Sequence, residues 1–349
     1  MRGRVEVDLK ILKRNAESIK TLLGGKTKIF WVVKADAYGH GIAGVCKQLA
    51  FADGFCVATL EEGLIVRQST HSPVLILGKT DFNEKKECVN SDISLSVWDE
   101  KDLTDLICIT DNMNKCIGVH IAVNTGMNRI GVKEEKSLYK LINAIKSSSK
   151  IQIKGVFSHL FDGENDCACQ KQRERFLAFC SQFNEGVIKH LSATQKSTDG
   201  NFAFDGVRVG LGLYGYGISR VQPCMSVFGE VVCVNRLVKG ESVGYGGKFV
   251  ANEECLVATL SLGYADGISR KRSGGEVLIR GKRRKIVGSI CMDFCFALVD
   301  GLVKVGDEVV FMGKQGGQTI TAEDIAEWEQ TIPYEVLTKN KRLPIIYKL

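Results

Sequence analysis

The sequence has few prolines, few histidines and no long apolar run. Only 4 prolines and 5 histidines occur among its 349 residues, and no segment is of low complexity, which argues against an array of proline-linked modules. No apolar stretch approaches the roughly 20 residues that cross a bilayer, so we expect no membrane span in the chain as given. The histidines lie far apart and no cysteines have C-x-x-C spacing, so we expect no metal site.

A strong charge bias is also absent. The 47 basic and 40 acidic residues leave a net charge of +7. The excess is scattered rather than gathered into a stripe, so nucleic-acid binding is not expected. The 13 cysteines form an odd set in a long chain, and the start of the sequence does not resemble a signal peptide. We therefore expect a reduced, cytoplasmic setting.

The length and the hydrophobic pattern predict an α/β protein of two domains. Residues 9–222 alternate between short β-rich runs and segments with helical spacing, and about eight such units would close a (β/α)8 TIM barrel. The chain is long enough for a second domain beside it. The expected barrel strands are Lys28–Lys34, Gly54–Val57, Val74–Gly78, Ile93–Val97, Ile117–Val123, Ile151–Phe157, His190–Ala193 and Val207–Gly210.

Residues 223–349 follow a different pattern. Short β runs separated by Gly-rich or charged turns predict an antiparallel β domain there. An opening strand near residues 1–8 precedes any helix and could pack with either half, the C-terminal domain included. The β runs of this half are Val231–Val234, Cys255–Leu262, Glu276–Ile279, Ile286–Ile290 and Glu308–Met312.

A glycine-rich segment after the last barrel strand fits a nucleotide-binding pattern only in part. Gly210–Gly215 satisfies G-x-G-x-x-G, but a dinucleotide site also needs an acidic residue about 20 positions later. That region contains Val234, Asn235 and Arg236 instead. We therefore do not expect a Rossmann site.

Lys34 ends an apolar strand run and is the first candidate for chemistry. Barrels present their reactive groups at the C-terminal ends of their strands. A lysine held there and partly desolvated has a lowered pKa, so its amine can condense with an aldehyde such as that of pyridoxal phosphate. The alternative from this residue alone is a lysine that only extends its charge to solvent at a strand end.

The segment around Lys34 extends this hypothesis. The nine residues Val33–Gly41 read VKADAYGHG and closely resemble the cofactor-attachment signature of the alanine racemase family, whose members use pyridoxal phosphate on a barrel followed by a β domain. The resemblance continues in order through almost the whole chain. The further matching segments are Thr125–Gly131, Ser158–His159, Arg208–Leu211, Leu262–Gly267, Cys291–Asp293 and Tyr334–Val336.

The resemblance implies two catalytic residues. Lys34 would attach the cofactor and move a proton on one face of the substrate Cα, and Tyr264, given by a partner subunit, would act on the opposite face. Racemisation needs two such groups, since a planar carbanion that regains its proton from the face that lost it returns to the starting enantiomer. With an ordinary pKa of about 10, a tyrosine needs nearby cations to act as a base. A homodimer is therefore expected.

The resemblance also assigns binding residues. Arg208 resembles the arginine that donates to the pyridine nitrogen of the cofactor, and His159 is expected to orient it. A guanidinium only donates, so it leaves that nitrogen unprotonated and weakens the ring as an electron sink. The phosphate would be held by Tyr38, Tyr334, Thr194 and the backbone N–H groups of Gly210 and Leu211, which lie where a strand is expected to pass into a helix. The substrate carboxylate would be held by Arg129 and the backbone at Met292.

Two departures from the family pattern concern the substrate site. Ala122 stands where many members carry a lysine, modified to a carbamate, that pairs with the arginine matching Arg129. Another anion, a water or Asn124 would have to hold Arg129 here. Pro333 precedes Tyr334 where asparagine is common, which affects the pocket that separates a methyl from a hydroxymethyl side chain.

The resemblance implies a pyridoxal phosphate racemase that interconverts L- and D-alanine and supplies D-alanine for peptidoglycan. A serine racemase, or a dual serine and alanine racemase, of the glycopeptide-resistance type would share these features, and this chain would then be the cytoplasmic domain of a membrane-anchored parent. The barrel pattern is also compatible with a non-catalytic pyridoxal phosphate carrier and with a decarboxylase of the same fold type. The segments at Tyr264 and Met292 favour the racemase.

Overall fold

The computed structural model describes residues 2–349, which form two compact units. The barrel unit comprises Leu12–Ala37 and Ile42–Gln222. The second unit comprises the residues up to Ile11, Tyr38–Gly41 and Pro223–Leu349. Whether the chain divides into independent domains at residues 222 and 223 stays a prediction.

The strands and helices are numbered in chain order. The strands are β1 Gly3–Asp8, β2 Lys28–Val32, β3 Gly54–Val57, β4 Val74–Ile76, β5 Ser94–Val97, β6 Ile117–Ala122, β7 Ile151–Phe157, β8 Ile188–His190, β9 Gly206–Val209, β10 Met225–Leu237, β11 Ser242–Val243, β12 Phe249–Val250, β13 Cys255–Leu260, β14 Glu276–Ile279, β15 Lys282–Val287, β16 Cys295–Val299, β17 Glu308–Gln315, β18 Gln318–Ile320 and β19 Ile345–Lys348. The helices are α1 Leu9–Leu22, α2 Lys34–Gly39, α3 Ile42–Gln48, α4 Leu60–Ser69, α5 Phe82–Asn90, α6 Glu100–Met113, α7 Glu135–Lys146, α8 Asp166–Cys180, α9 Gly200–Ala203, α10 Ala322–Glu329 and α11 Pro333–Thr338.

The barrel unit is a closed barrel of parallel strands. Strands β2 to β9 follow one another in sequence order around it, and β9 pairs with β2 to close it. Every residue of β3 and of β6 is buried, as expected of parallel strands that are covered on both faces. The predicted (β/α)8 architecture is confirmed. The seventh predicted barrel strand, His190–Ala193, lies instead at Ile188–His190, which is β8.

Amphipathic helices cover the barrel. In α1, Leu12, Ala16 and Ile19 are buried at helical spacing, which is the apolar stripe that the sequence predicts. Several helices begin with a side-chain cap: in α5, Asp81 accepts the Glu84 N–H and the Glu84 carboxylate accepts the Asp81 N–H, a capping box that satisfies two otherwise unpaired donors.

The second unit is built on a nine-stranded sheet with the order β18, β17, β14, β15, β16, β13, β10, β1, β19. Its pairs are antiparallel except for β1 with β19. The opening strand therefore pairs within this unit, with Val5 opposite Val227 of β10. The predicted β domain is confirmed, although helices α10 and α11 near its end were not predicted. None of the helices formed by residues 2–349 combines the length and hydropathy that a bilayer-crossing segment needs.

Candidate active site

Lys34 begins a strained turn directly after β2. Ala35, Asp36, Ala37 and Tyr38 all have φ between +53° and +55°, so α2 is a left-handed helical turn. This conformation costs L-residues about 1–2 kcal/mol each and is rarely found in consecutive residues. Hydrogen bonds hold it: the Ala37 N–H donates to the Val33 carbonyl at 2.8 Å, and the Asp36 carboxylate accepts the Ile42 N–H at 2.8 Å.

The amine of Lys34 forms no hydrogen bond or ion pair with any group of residues 2–349. Its pKa lies below the ordinary value because the side chain is largely buried and because the Arg129 guanidinium repels a second positive charge. The Glu62 carboxylate opposes this effect and raises the pKa. The result is an amine that is neutral more often than a surface lysine, as a nucleophile needs.

Arg208 in β9 is held rigidly inside the barrel. Only 3% of it is exposed. Its Nη1 donates to His190 Nδ1 at 2.8 Å and to the His190 carbonyl at 2.7 Å, and its Nη2 donates to the carbonyls of Ser158 at 2.5 Å and Leu191 at 2.9 Å. Burial lowers the pKa of Arg208 to about 10, so the guanidinium stays charged at neutral pH. Its Nε–H makes no hydrogen bond with residues 2–349.

A chain of two buried histidines continues from Arg208. Because a guanidinium can only donate, His190 Nδ1 accepts and its proton lies on Nε2. That proton is directed at His120 Nδ1, 2.8 Å away. Burial lowers the pKa of His120 to about 3 and that of His190 well below its ordinary value. Both rings are therefore neutral, each in one defined tautomer.

His159 contacts Arg208 more weakly than the sequence led us to expect. Its Nδ1 lies 3.3 Å from Arg208 Nη2, a nitrogen whose two hydrogens already serve the carbonyls of Ser158 and Leu191. Burial and the Arg208 charge lower the pKa of His159 to about 3. Arg208 is thus oriented mainly by carbonyls and by His190, and His159 adds a neutral ring beside it.

The backbone after β9 offers unpaired donors. Gly210 and Leu211 are buried, and neither N–H hydrogen-bonds to residues 2–349. The prediction that a helix begins at this point is wrong. The chain forms successive turns instead, in which the Leu213 N–H donates to the Gly210 carbonyl. Thr194 lies beside these turns, where its hydroxyl accepts the Gly212 N–H at 3.2 Å. Buried donors without a partner are rare in proteins and indicate a site for an acceptor.

Arg129 lies on the loop that follows β6. It is exposed and forms no hydrogen bond or ion pair in the described part of the chain. Asn124 does not hold it, because the Asn124 side-chain oxygen accepts the N–H groups of Gly126 and Asn128 at 3.0 and 3.2 Å. Ala122 is 1% exposed. The loop is therefore shaped by Asn124, while the guanidinium remains free to receive an anion.

The remaining predicted site residues lie in the second unit. The rings of Tyr38 and Tyr334 are 5.9 Å apart. Tyr264 and Met292 are also neighbours, because the Tyr264 N–H donates to the Cys291 carbonyl at 2.9 Å and the next N–H donates to that of Met292 at 3.0 Å. Tyr264 is 43% exposed and Met292 is 54% exposed. Both side chains are therefore available to another molecule.

The donor set of the barrel unit fits pyridoxal phosphate. This cofactor carries an aldehyde, a pyridine nitrogen and a phosphate. The unpaired amine of Lys34 suits the aldehyde, and the unpaired Nε–H of Arg208 suits the nitrogen. The unpaired N–H groups of Gly210 and Leu211 suit the phosphate.

Comparison with known proteins gives the family. A family model described as the N-terminal domain of alanine racemase matches residues 7–217, and one described as the C-terminal domain matches residues 224–347. The chain belongs to the alanine racemase family. It is a pyridoxal phosphate-dependent racemase.

Relatives cover the whole length of this racemase. Alanine racemase 2 of Caldanaerobacter subterraneus subsp. tengcongensis is 37% identical over 99% of this chain and 94% of its own length. The alanine racemase of Pediococcus pentosaceus is 35% identical over 99% and 96%. The crystal structure of alanine racemase from E. faecalis has a TM-score of 0.94 at 30% identity and covers 99% of this chain and 98% of that one.

One solved structure with the same fold is named for a different amino acid. The histidine racemase from Leuconostoc mesenteroides has a TM-score of 0.89 at 25% identity and covers 100% of this chain and 98% of that chain.

The roles of individual residues in this racemase stay predictions. The structure also brings to the site residues to which the sequence pattern assigns no role. His120 and His190 extend the Arg208 contacts, and Glu62 contacts the turn at Lys34. The signal for His120 was a polar residue inside the apolar run of β6. Glu62 gave no signal, since an acid in the first turn of a helix is ordinary.

Proposed function

We propose that this racemase interconverts L- and D-alanine by a two-base mechanism and supplies D-alanine for peptidoglycan. The proposal is supported by the names of relatives that align over 94% and 96% of their own lengths. The observation that carries it is the unpaired amine of Lys34, with its lowered pKa, in the same barrel unit as the unpaired Nε–H of Arg208. We further propose that residues 9–222 and 223–349 are its two domains.

Bound pyridoxal phosphate supplies a conjugated ring that stabilises negative charge at the Cα of an attached amino acid. In this chain, Lys34 would bind the aldehyde of the cofactor and Arg208 its ring nitrogen. The N–H groups of Gly210 and Leu211 would bind its phosphate. Thr194, Tyr38 and Tyr334 would supply hydroxyl groups for the phosphate. Because Arg208 donates without releasing a proton, it would leave the ring nitrogen unprotonated and so limit side reactions.

Lys34 and Tyr264 would move protons on opposite faces of the substrate Cα. Lys34 takes or returns the proton on one face, and Tyr264 of the partner subunit does so on the other. The exposure of Tyr264 in the single chain, 43%, supports a role in a neighbouring molecule's site. Activity would then require a homodimer.

Arg129 and the backbone at Met292 would hold the substrate carboxylate. A guanidinium without an ion pair is suited to a carboxylate because it can donate two parallel hydrogen bonds. Met292 is part of the loop tied to Tyr264, so the same partner segment would provide both a proton carrier and a carboxylate contact.

We propose the cytoplasm as the place of action. No disulfide links any of the 13 cysteines, all of which lie within residues 2–349, and this is consistent with a reducing compartment. D-alanine made there would be available for assembly of wall precursors.

The deciding experiment is incubation with L-alanine, L-serine and L-histidine separately, followed by chiral chromatography. We expect D-alanine to form fastest. A single added hydroxyl is poorly rejected by an apolar pocket, so slower conversion of L-serine is compatible with the proposal. Faster conversion of L-serine or L-histidine than of L-alanine would contradict it.

A matched variant pair tests the attachment residue. Lys34→Ala should abolish the visible absorbance that pyridoxal phosphate shows when joined to a lysine, and borohydride should no longer fix the cofactor to the chain. Lys26→Ala removes an exposed lysine and should leave both signals unchanged. Retention of the absorbance in Lys34→Ala would contradict the assignment.

A further inference from the structure

The carboxylate of Glu62 bridges two strand ends of the barrel. Glu62 lies in the first turn of α4, and its Oε1 accepts the Ala35 N–H at 2.6 Å. Its Oε2 accepts the N–H of Ala58, the residue after β3, at 2.8 Å. Both oxygens of one side chain are therefore engaged with backbone, one of them directly after Lys34.

From this bridge we propose that Glu62 is a positioning residue for Lys34. Glu62 fixes the left-handed turn and offsets the positive charges around the amine. The inference rests on the proposed function, because it concerns the residue that attaches the cofactor there. Glu62 itself would touch neither substrate nor cofactor.

The positioning role follows from the backbone. The turn Ala35–Tyr38 is unfavourable for L-residues, so it persists only where surrounding contacts enforce it. The hydrogen bond from Ala35 lies at the start of the turn, where it ties the backbone after Lys34 to β3 and α4. A hydrogen bond to an ionised carboxylate is stronger than one to a neutral acceptor. Release of this contact would let the Lys34 Cα move.

The electrostatic role follows from the ionisable groups that influence the Lys34 amine. Cys56 is neutral because burial raises its pKa to about 12, and His159 is neutral because its pKa is lowered to about 3. Arg129 and Arg208 are positive. Glu62 is the one carboxylate among the groups that affect the pKa of Lys34, and it raises that pKa. The groups that interact electrostatically with the amine are Glu62 on α4, Cys56 on β3, Arg129 after β6, His159 after β7 and Arg208 on β9.

This balance matters because Lys34 has to accept a proton as well as give one up. An amine surrounded only by guanidinium groups would be a weak base. Glu62 would stabilise the ammonium form without pairing directly with it. Its two oxygens are held by backbone N–H groups, which keeps the carboxylate from forming a tight ion pair that would immobilise the amine.

Two variants separate the two roles. Glu62→Gln keeps the length and one oxygen acceptor but removes the charge, so the pH profile of kcat/KM should move to lower pH on the limb that Lys34 governs. Glu62→Asp keeps the charge but is too short to reach both N–H groups, so kcat should fall at least about tenfold with the pH profile in place. Glu61→Gln changes an exposed neighbouring carboxylate and should change neither.

A readout without turnover completes the test. For each holoenzyme, borohydride trapping at a series of pH values measures the fraction of Lys34 joined to the cofactor, and its midpoint should move only in Glu62→Gln. Identical midpoints in Glu62→Gln and wild type would overturn the proposal, as would an equal shift in Glu61→Gln. If Glu62→Gln does not fold, Glu62→Asp decides, since an unchanged kcat would overturn the proposal. Absence of trapping and of racemisation in wild type would instead reject the proposed function.

Discussion

Tyr264 and Cys291 are joined through their backbones, with the Tyr264 N–H donating to the Cys291 carbonyl at 2.9 Å. The chain approaches so closely here because residue 263 is a glycine. A Cβ at Gly263 would lie 2.3 Å from the Cys291 carbonyl oxygen and 2.5 Å from that of Met292. The position of the proposed second base therefore depends on a residue without a side chain.

Gly263→Ala should displace Tyr264 and weaken the second unit. Backbone atoms cannot yield as a flexible side chain can, so we expect a loss of about 1–3 kcal/mol in the free energy of unfolding and a large loss of racemisation. Denaturant unfolding and chiral product analysis measure the two effects. Gly301→Ala is the control, because nothing lies within 4 Å of its added Cβ. Wild-type stability in Gly263→Ala would show that the close approach relaxes without cost.

Acid should destabilise this protein through its buried histidines. The pKa of His120 is about 3 in the folded protein, whereas the pKa of a histidine in the unfolded chain is about 6.5. Below that pH the unfolded chain binds protons that the folded chain does not. The stabilisation is therefore complete above about pH 6.5 and is lost as pH falls toward 3, at up to about 1.4 kcal/mol per pH unit for each such histidine.

His120→Asn tests this linkage. The asparagine oxygen can still accept the proton on His190 Nε2, but the side chain no longer titrates. Between pH 6.5 and 4.5, unfolding in denaturant should show a shallower loss of stability for this variant than for wild type. His71→Gln, which removes an exposed histidine, should keep the wild-type slope. Equal slopes for His120→Asn and wild type would rule out a contribution from this ring.

Much of this site could be predicted from sequence because its parts lie in short contiguous segments. Lys34 and Tyr38 fall in one segment of nine residues, and the barrel strands read as apolar runs. The contacts of Arg208 could not be predicted in the same way. His120 and His190 are separated by 70 residues and meet only because β6, β7 and β8 are neighbours in a closed barrel.

The left-handed turn after Lys34 could not be predicted from the sequence either. Ala35 and Ala37 favour right-handed helix, and the positive φ values are imposed by contacts with distant residues such as Glu62. The prediction of a helix after Gly210 was wrong for a related reason. Glycines at 210, 212 and 215 favour turns over a continuous helix, and the backbone there forms turns instead.

Tyr264→Phe should separate proton exchange from racemisation. Removal of the phenol hydroxyl leaves Lys34 able to exchange the proton on one face only, so racemisation should stop in both directions. In D2O, deuterium should still enter the Cα of one recovered alanine enantiomer and not the other, as measured by mass spectrometry after chiral separation. Tyr139→Phe, an exposed tyrosine on α7, should behave as wild type. Equal incorporation into both enantiomers by Tyr264→Phe would contradict a two-base mechanism.

Mixing two inactive variants tests whether each site takes residues from two subunits. In a mixed dimer of Lys34→Ala and Tyr264→Phe chains, one site has both substitutions and the other has neither, provided that Lys34 works with Tyr264 of the partner subunit. Random exchange makes half of the dimers mixed, so about a quarter of wild-type activity should return after mild denaturation and refolding of the mixture. The control mixture of Lys34→Ala with the double variant contains no intact site and should stay inactive. If both residues act within one chain, neither mixture regains activity, because every chain lacks one of them.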